Sequence, residues 1–493
     1  MSSTVNQSSE KSRLIPNWAF STLISFLILI NLLFVSLKVN AEPVISLSSG
    51  FGSHCALTSA GAVKCWGMNL NGQVGDGTKV DKLIPVNVIG LTANIQAISS
   101  GYNHTCALTT SGTVKCWGLG TDGQLGDGTF VSKTTPVDVV GLAGVISLSA
   151  GYNHTCALIS NGQVVCWGNN QYFQIGDGSQ VARNIPTTVV GLSGVAKLSS
   201  GVFHNCVVTN ISTVKCWDQN ATGQLGDGTT QSGSGIITAT GISDAVDISS
   251  GNGYTCARTT SAAVKCWGWD IYGQLGNGVI NNNVPYLPTQ INGIPSIASI
   301  SIPSANGGDV LAITTSGVAM GWGLNGSRQL STGDQVNKSI PTNVMNLTAG
   351  NGIATLVSAG TNSSCAILQF GVQCWGSNIY GQLGNNSTAN PIVPVDVIGL
   401  SGGPPQGAPK TISPVTSNTP IYTWKPAPGS TSYRLKVNGV ITVYTAAAAG
   451  CESGVGLCTI TSTPLPSGSY IWSVQGYNVY GDSSWSSDTY FAI

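Results

Sequence analysis

The sequence predicts an all-β protein: a ring of seven small sheets, with a second and smaller β domain after it. Three observations lead there. A cysteine and tryptophan signature returns about every fifty residues, short apolar strands alternate with Gly-rich turns, and no helical apolar period is present. A period near fifty lies within the range of propeller repeats. Short strands at regular spacing with turn punctuation indicate an all-β fold, and seven units of one sheet each close into a ring that protects most sheet edges.

The chain opens with Lys11 and Arg13, an apolar run from Trp18 to Val35, and small residues at Val39 and Ala41 ahead of Glu42. This pattern reads as an export signal over residues 1–41 with a mature start near Glu42. The same run reaches the length of a short membrane span, so an uncleaved signal anchor is the alternative. Either reading places the bulk of the chain outside the cytoplasm, secreted or at the cell surface.

From residue 44 to 400 the repeats follow one another. The tryptophan recurs at Trp66, Trp117, Trp167, Trp217, Trp267, Trp322 and Trp375, each followed by a GQLG-type turn. Within a repeat, an ISSG strand, a TCALTT strand, a Ser-Gly turn and a TVKCWG strand lead to a loop and PVDVVG. The recurring order of GYNHTCAL, VKCWG, GQLGDGT and PVDVVGL resembles the repeats of the regulator of chromosome condensation family. The resemblance implies a seven-bladed β-propeller. The founding member's nucleotide exchange on a nuclear GTPase and its chromatin binding do not carry over to an exported chain without a basic surface. Kelch repeats share the period, but no recurrent Gly-Gly doublet is present.

Residues 401–409, SGGPPQGAP, form a Gly and Pro linker, after which the repeat is absent. Alternating strands with Trp424 and Tyr433 and the SGSYIWSVQGYNVYGDSSWS ending give residues 410–493 the look of a small fibronectin type III-like sandwich.

An even count of 14 cysteines in an exported chain points to disulfides. In TCALTTSGTVKC a three-residue turn around Ser111 sets Cys106 opposite Cys116, and the sixth repeat loses both partners at once, to Leu311 and Gly321. The expected pairs are Cys55 with Cys65, Cys106 with Cys116, Cys156 with Cys166, Cys206 with Cys216, Cys256 with Cys266, Cys365 with Cys374, and Cys451 with Cys458. A His-Cys-Cys metal cluster is the rival, because His104, His154 and His204 lie two residues before a cysteine. Repeats five and seven keep both cysteines with Tyr254 and Ser363 in place of the histidine, so the cysteines do not require it. No metal or cofactor is therefore expected, and the histidines are expected to hydrogen-bond within their own blade. Asp76, Asp127, Asp177 and Asp227 precede glycine and read as turn formers rather than calcium ligands.

Charged residues make up 8 % of the chain, with 19 basic against 19 acidic and no basic stripe, which argues against a nucleic-acid partner. All four histidines belong to repeats, and no nucleophile elbow, zinc-protease helix or phosphate loop is present. These residues describe an exported interaction protein rather than an enzyme, with an extracellular protein or glycan as partner. The alternatives are an inhibitor, by analogy with secreted β-lactamase inhibitors of similar propeller fold, and a carbohydrate-active enzyme. Aromatic residues in otherwise variable loops, Tyr172, Phe173, Trp269, Tyr272 and Tyr380, are the expected partner contacts, since Tyr and Trp are common contact anchors.

Overall fold

The computed structural model of the chain describes residues 43–280, 286–345, 347, 353–368 and 371–400, and shorter stretches between 410 and 492. The expected export segment and the linker at 401–409 lie outside the described residues. Among the described residues no helix is long and apolar enough to cross a membrane.

Blade 1 shows how the sequence builds each unit. Strands β1 (Val44–Ser49), β2 (Ser53–Thr58), β3 (Val63–Gly67) and β4 (Lys82–Asn87) pair in chain order as one antiparallel sheet. Six further four-stranded sheets repeat this order, from Ile95–Asp138 in blade 2 to Ala354–Asp396 in blade 7. The second and third strands join through a tight turn: in blade 2 the Thr109 N–H donates to the Thr113 carbonyl at 2.9 Å. Gly112 takes φ +79° there, a left-handed conformation that glycine adopts without a Cβ clash. This turn puts Cys106 opposite Cys116.

Six disulfides follow: Cys55–Cys65, Cys106–Cys116, Cys156–Cys166, Cys206–Cys216, Cys256–Cys266 and Cys365–Cys374. Their Cα atoms are 4.0–4.1 Å apart, the spacing of a non-hydrogen-bonded antiparallel pair. Both sulfurs are spent on each other, so the cysteines offer no thiolate to a metal. Blade 6 has Leu311 opposite Gly321 at the same register. Cys458 is also disulfide-bonded, and Cys451 lies outside the described residues.

All seven tryptophans after the third-strand cysteine position lie between blades and are at most 1 % exposed. Trp117 completes the core that Leu57, Val63, Val74 and Val88 begin in blade 1. Each indole N–H donates to the main-chain carbonyl of the glutamine in the preceding blade's GQLG turn, as from Trp117 to Gln73 at 2.9 Å and from Trp167 to Gln124 at 2.9 Å. A buried indole N–H must find an acceptor, and the turn supplies it.

Four consecutive strands build every blade, so blades 1 and 7 meet without exchanging a strand. Trp66 donates to the Gln382 carbonyl at 2.8 Å, Ser49 Oγ lies 2.8 Å from Ser358 Oγ, and the Asn386 N–H donates to the Leu83 carbonyl at 2.9 Å. The first strands of all seven blades line an axial cavity of about 340 Å³. Their serines link neighbours: Ser99 Oγ accepts from the Ala150 N–H at 2.9 Å and Ser199 Oγ from the Ser250 N–H at 2.9 Å.

The described C-terminal strands form a three-stranded and a five-stranded sheet. Residues of both sheets, including Tyr422, Trp424, Tyr433, Ile460 and Trp472, share one apolar cluster, which makes this part a β-sandwich.

Candidate functional site

Strand direction decides which loops share a face. First strands run outward along the axis in the same sense, so the loop after each first strand and the loop after each third strand emerge at one end of the cavity. The hairpin turns between second and third strands emerge at the other.

On that first face the inner loops carry Phe51, Tyr102, Tyr152 and Phe203 in blades 1 to 4, all partly buried. Phe51 and Tyr102 have ring centroids 4.5 Å apart, Tyr102 and Tyr152 stack at 4.1 Å, and Tyr152 meets Phe203 at 5.9 Å. Tyr172 continues the row against Phe203 at 4.9 Å. The loops beneath are tied from blade to blade: the Phe51 N–H donates to the Tyr102 carbonyl and the Tyr102 N–H to the Tyr152 carbonyl, each at 3.2 Å. An arc of aromatic rings on a braced backbone results, preorganised for contact. Burial, helped by the Tyr152 hydroxyl, pushes the Tyr102 phenol up to about 12, so it stays a neutral donor. The flanking polar groups include the amides Asn103 and Asn153 and the carboxylate of Asp122, which accepts from Asn153 Nδ2 at 2.8 Å.

The five aromatics singled out from the sequence fall in different places. Tyr172 is 36 % exposed and ends the arc. Tyr380 lies over Gly52, at the other end, and its phenol acts on that of Tyr102. Trp269 and Tyr272 form a separate edge-on pair at 5.9 Å, with Tyr272 covering Gly308 of the next blade. Phe173 occupies a GQLG glycine position at φ +72° and, among the described residues, stacks on no other ring. Sequence reading missed Phe51, Tyr102, Tyr152 and Phe203. Their signal was present as an aromatic directly after the glycine that follows the first strand in three consecutive repeats, and one residue further on, at Phe203, in the fourth.

The histidines correct one expectation in three blades: His104, His154 and His204 bond across blades, while His54 bonds both across and within its own blade, its Nδ1 lying 2.7 Å from Ser49 Oγ. Nε2 of His104 meets Thr155 Oγ1 at 2.9 Å, that of His154 meets Asn205 Oδ1 at 2.9 Å, and that of His204 meets Thr255 Oγ1 at 2.8 Å. The second strands of adjacent blades lie side by side, so the imidazole reaches the next blade's hydroxyl or, for His154, its amide oxygen. At the ring closure the two residue types are exchanged. Ser363 stands at the histidine position of blade 7 and His54 at the threonine position of blade 1, 2.9 Å apart. That exchange accounts for the one-residue shift of His54 in the sequence.

Burial lowers His54, His104 and His204 to about 3 and His154 to about 4, so all four are neutral. Their folded values lie below the 6.5 of the free side chain. The unfolded chain therefore binds more protons in acid. Each histidine's contribution is complete above pH 6.5 and is lost as pH falls, toward 4 for His154 and toward 3 for the other three, at up to about 1.4 kcal/mol per pH unit. NMR of the folded protein is expected to show no imidazole titration between pH 5 and 8. A resonance with a midpoint near 6.5 would place that ring in water.

His154, Asn205 and Asp218 form a chain unlike any other blade junction, with Asn205 Nδ2 donating to Asp218 Oδ2 at 2.9 Å. All three are fully buried. The Asp-Gly aspartates organise their loops: Asp127 accepts from the Thr129 N–H at 3.0 Å and hydroxyl at 2.8 Å and pairs with Lys133 at 3.3 Å. Those bonds hold its carboxyl below the usual range against the upward push of burial.

Residues 29–360 match the model of the RCC1-like domain. Over 91 residues the chain is 41 % identical to the ultraviolet-B receptor UVR8 of Arabidopsis thaliana, covering 18 % of this chain and 21 % of that protein. Over 103 residues it is 38 % identical to the human probable E3 ubiquitin-protein ligase HERC3, covering 21 % and 10 %. The chain thus spans a small part of the length of these relatives. Among solved structures, human WBSCR16 superposes with a TM-score of 0.61 at 20 % identity, covering 68 % of this chain and 93 % of that one. Yeast RCC1 (Prp20), solved bound to Kap60, gives 0.57 at 21 %, covering 64 % and 78 %. At these identities the likeness is one of fold.

Proposed function

The chain belongs to the RCC1-like domain family, and on that premise we propose that it is an exported protein-binding scaffold whose contact surface is the aromatic face at the mouth of the axial cavity. The observation that carries this reading is the arc from Phe51 through Tyr102, Tyr152 and Phe203 to Tyr172. Rigid, partly exposed aromatic rings give large contact area at low entropic cost for binding protein side chains. Yeast Prp20, a propeller of the same fold, was solved in complex with a protein, Kap60. Six disulfides are compatible with an oxidising compartment outside the cytoplasm. The C-terminal sandwich serves as spacer or second contact. Catalysis is not part of the proposal.

The test uses the full chain as bait in native extracellular material, beside the Tyr102→Ala/Tyr152→Ala variant. The expected result is a partner captured by the wild type and at least about tenfold depleted on the variant. A melting curve of the variant distinguishes lost contact from lost fold. Equal capture by a folded variant refutes the assignment of this face.

A further inference from the structure

Among the described residues the outer strand of each blade has one side without a strand partner, and such an edge can template pairing with another chain. Which groups it offers follows from the disulfides. The cysteines face each other as non-hydrogen-bonded pairs, so the third-strand cysteine turns its N–H and C=O toward the outer strand. The residue opposite it there, Val86, Val137, Thr187 or Ile237 in blades 1 to 4, points its own groups inward. The neighbours on either side of that residue point outward.

In six blades the outward residue just before it is proline: Pro85, Pro136, Pro186, Pro288, Pro341 and Pro394. Proline has no N–H to offer, which blunts the edge. Blade 4 alone holds Ile236 there. Its outer strand, Gly233–Thr238, also lacks the cation found at the start of the same strand in blades 1, 2, 3 and 6. There Lys82, Lys133, Arg183 and Lys338 pair with nearby aspartates, whereas blade 4 has Gly233. The strand reads GSGIIT, with no charge and with glycines at 233 and 235 whose Cβ positions face open space. Glycine in an edge strand permits close approach of another backbone.

We propose that this edge pairs with the same edge of a second copy, antiparallel about a two-fold axis at Ile237. In that register Ile236 of one copy faces Thr238 of the other, and each exchanges its outward N–H and C=O with the other. An uncharged strand meets its own copy without like-charge repulsion. Blade 3 beside it keeps Val181, Ile185 and Val190 at 60 %, 46 % and 65 % exposure, apolar surface for a second ring to cover. The pairing is independent of the aromatic face.

Sedimentation of the full chain tests it. The wild type is expected to show a mass that rises with concentration, together with concentration-dependent protection of the Ile236 and Thr238 amides from hydrogen exchange. Ile236→Pro installs the residue six blades already carry, so the ring folds, and self-association is expected to weaken at least about tenfold. Ile236→Val should associate like the wild type. A chain that stays monomeric at every concentration, or one whose association survives Ile236→Pro, overturns the proposal.

Discussion

Asp218→Gly is expected to stabilise the propeller by about 2 kcal/mol at pH 7 and by less at pH 4. Asp218 ends the third strand of blade 4 at a position where the other six blades have glycine with φ between +93° and +108°. Its own φ is +94°, a conformation that disfavours any side chain. The carboxyl is sealed from solvent; Oδ2 accepts from Asn205 while Oδ1 has no partner. Burial raises its pKa well above the ordinary 3.8, partly offset by the Asn205 bond. A carboxyl raised in the folded state favours folding below pH 3.8 and loses that advantage as pH climbs through the folded value. Removing it should therefore help more at pH 7 than at pH 4, with the backbone strain relieved at both. Asn205 keeps the Gln174 carbonyl at 3.0 Å and His154, so no new buried group is orphaned. Melting curves at the two pH values decide the matter. A destabilised variant, or a gain larger at pH 4, would contradict this account.

Leu311→Cys with Gly321→Cys is expected to install a seventh disulfide and to contribute up to about 3 kcal/mol in the chain-entropy model. The two residues face each other in the register that the cysteines hold in six other blades. Gly321 does not use a positive φ, so it accepts a side chain. A Cβ built on it would lie 3.0 Å from Leu311 Cδ2 and 3.0 Å from Leu330 Cδ2; shortening Leu311 opens the first of these, and the flexible end of Leu330 must give by a few tenths of an ångström. Unreduced double variant should resist alkylation and melt above the wild type. After reduction it should melt below it, because the buried leucine is lost. Two freely alkylated thiols in the folded variant would show that blade 6 departs from the common hairpin.

Much of this fold was legible in one sequence because its repeats act as internal comparisons. Changes such as Leu311 with Gly321 occur in pairs, and a paired change exposes a contact between positions ten residues apart on one hairpin. The arc of aromatics was less legible. Phe51, Tyr102, Tyr152 and Phe203 sit inside the repeat signature itself, so they read as framework. That they touch one another depends on inner loops of successive blades bonding in sequence around the axis.

The same division holds throughout the molecule. Strand order, hairpin turns and cysteine register are set by residues close in the chain, where alternation, glycine conformation and pair spacing act directly, and the sequence by itself determined them. Contacts between blades join positions about fifty residues apart, and their partners depend on how rigid sheets pack face to face. Only the tertiary structure decided that His104 reaches Thr155, that each tryptophan donates to the preceding blade's glutamine carbonyl, and that Ser363 with His54 closes the ring in exchanged positions. The reason is steric and electrostatic together: a buried donor bonds whichever acceptor the neighbouring sheet brings within reach, and the packing of sheets, not the order of residues, brings it there.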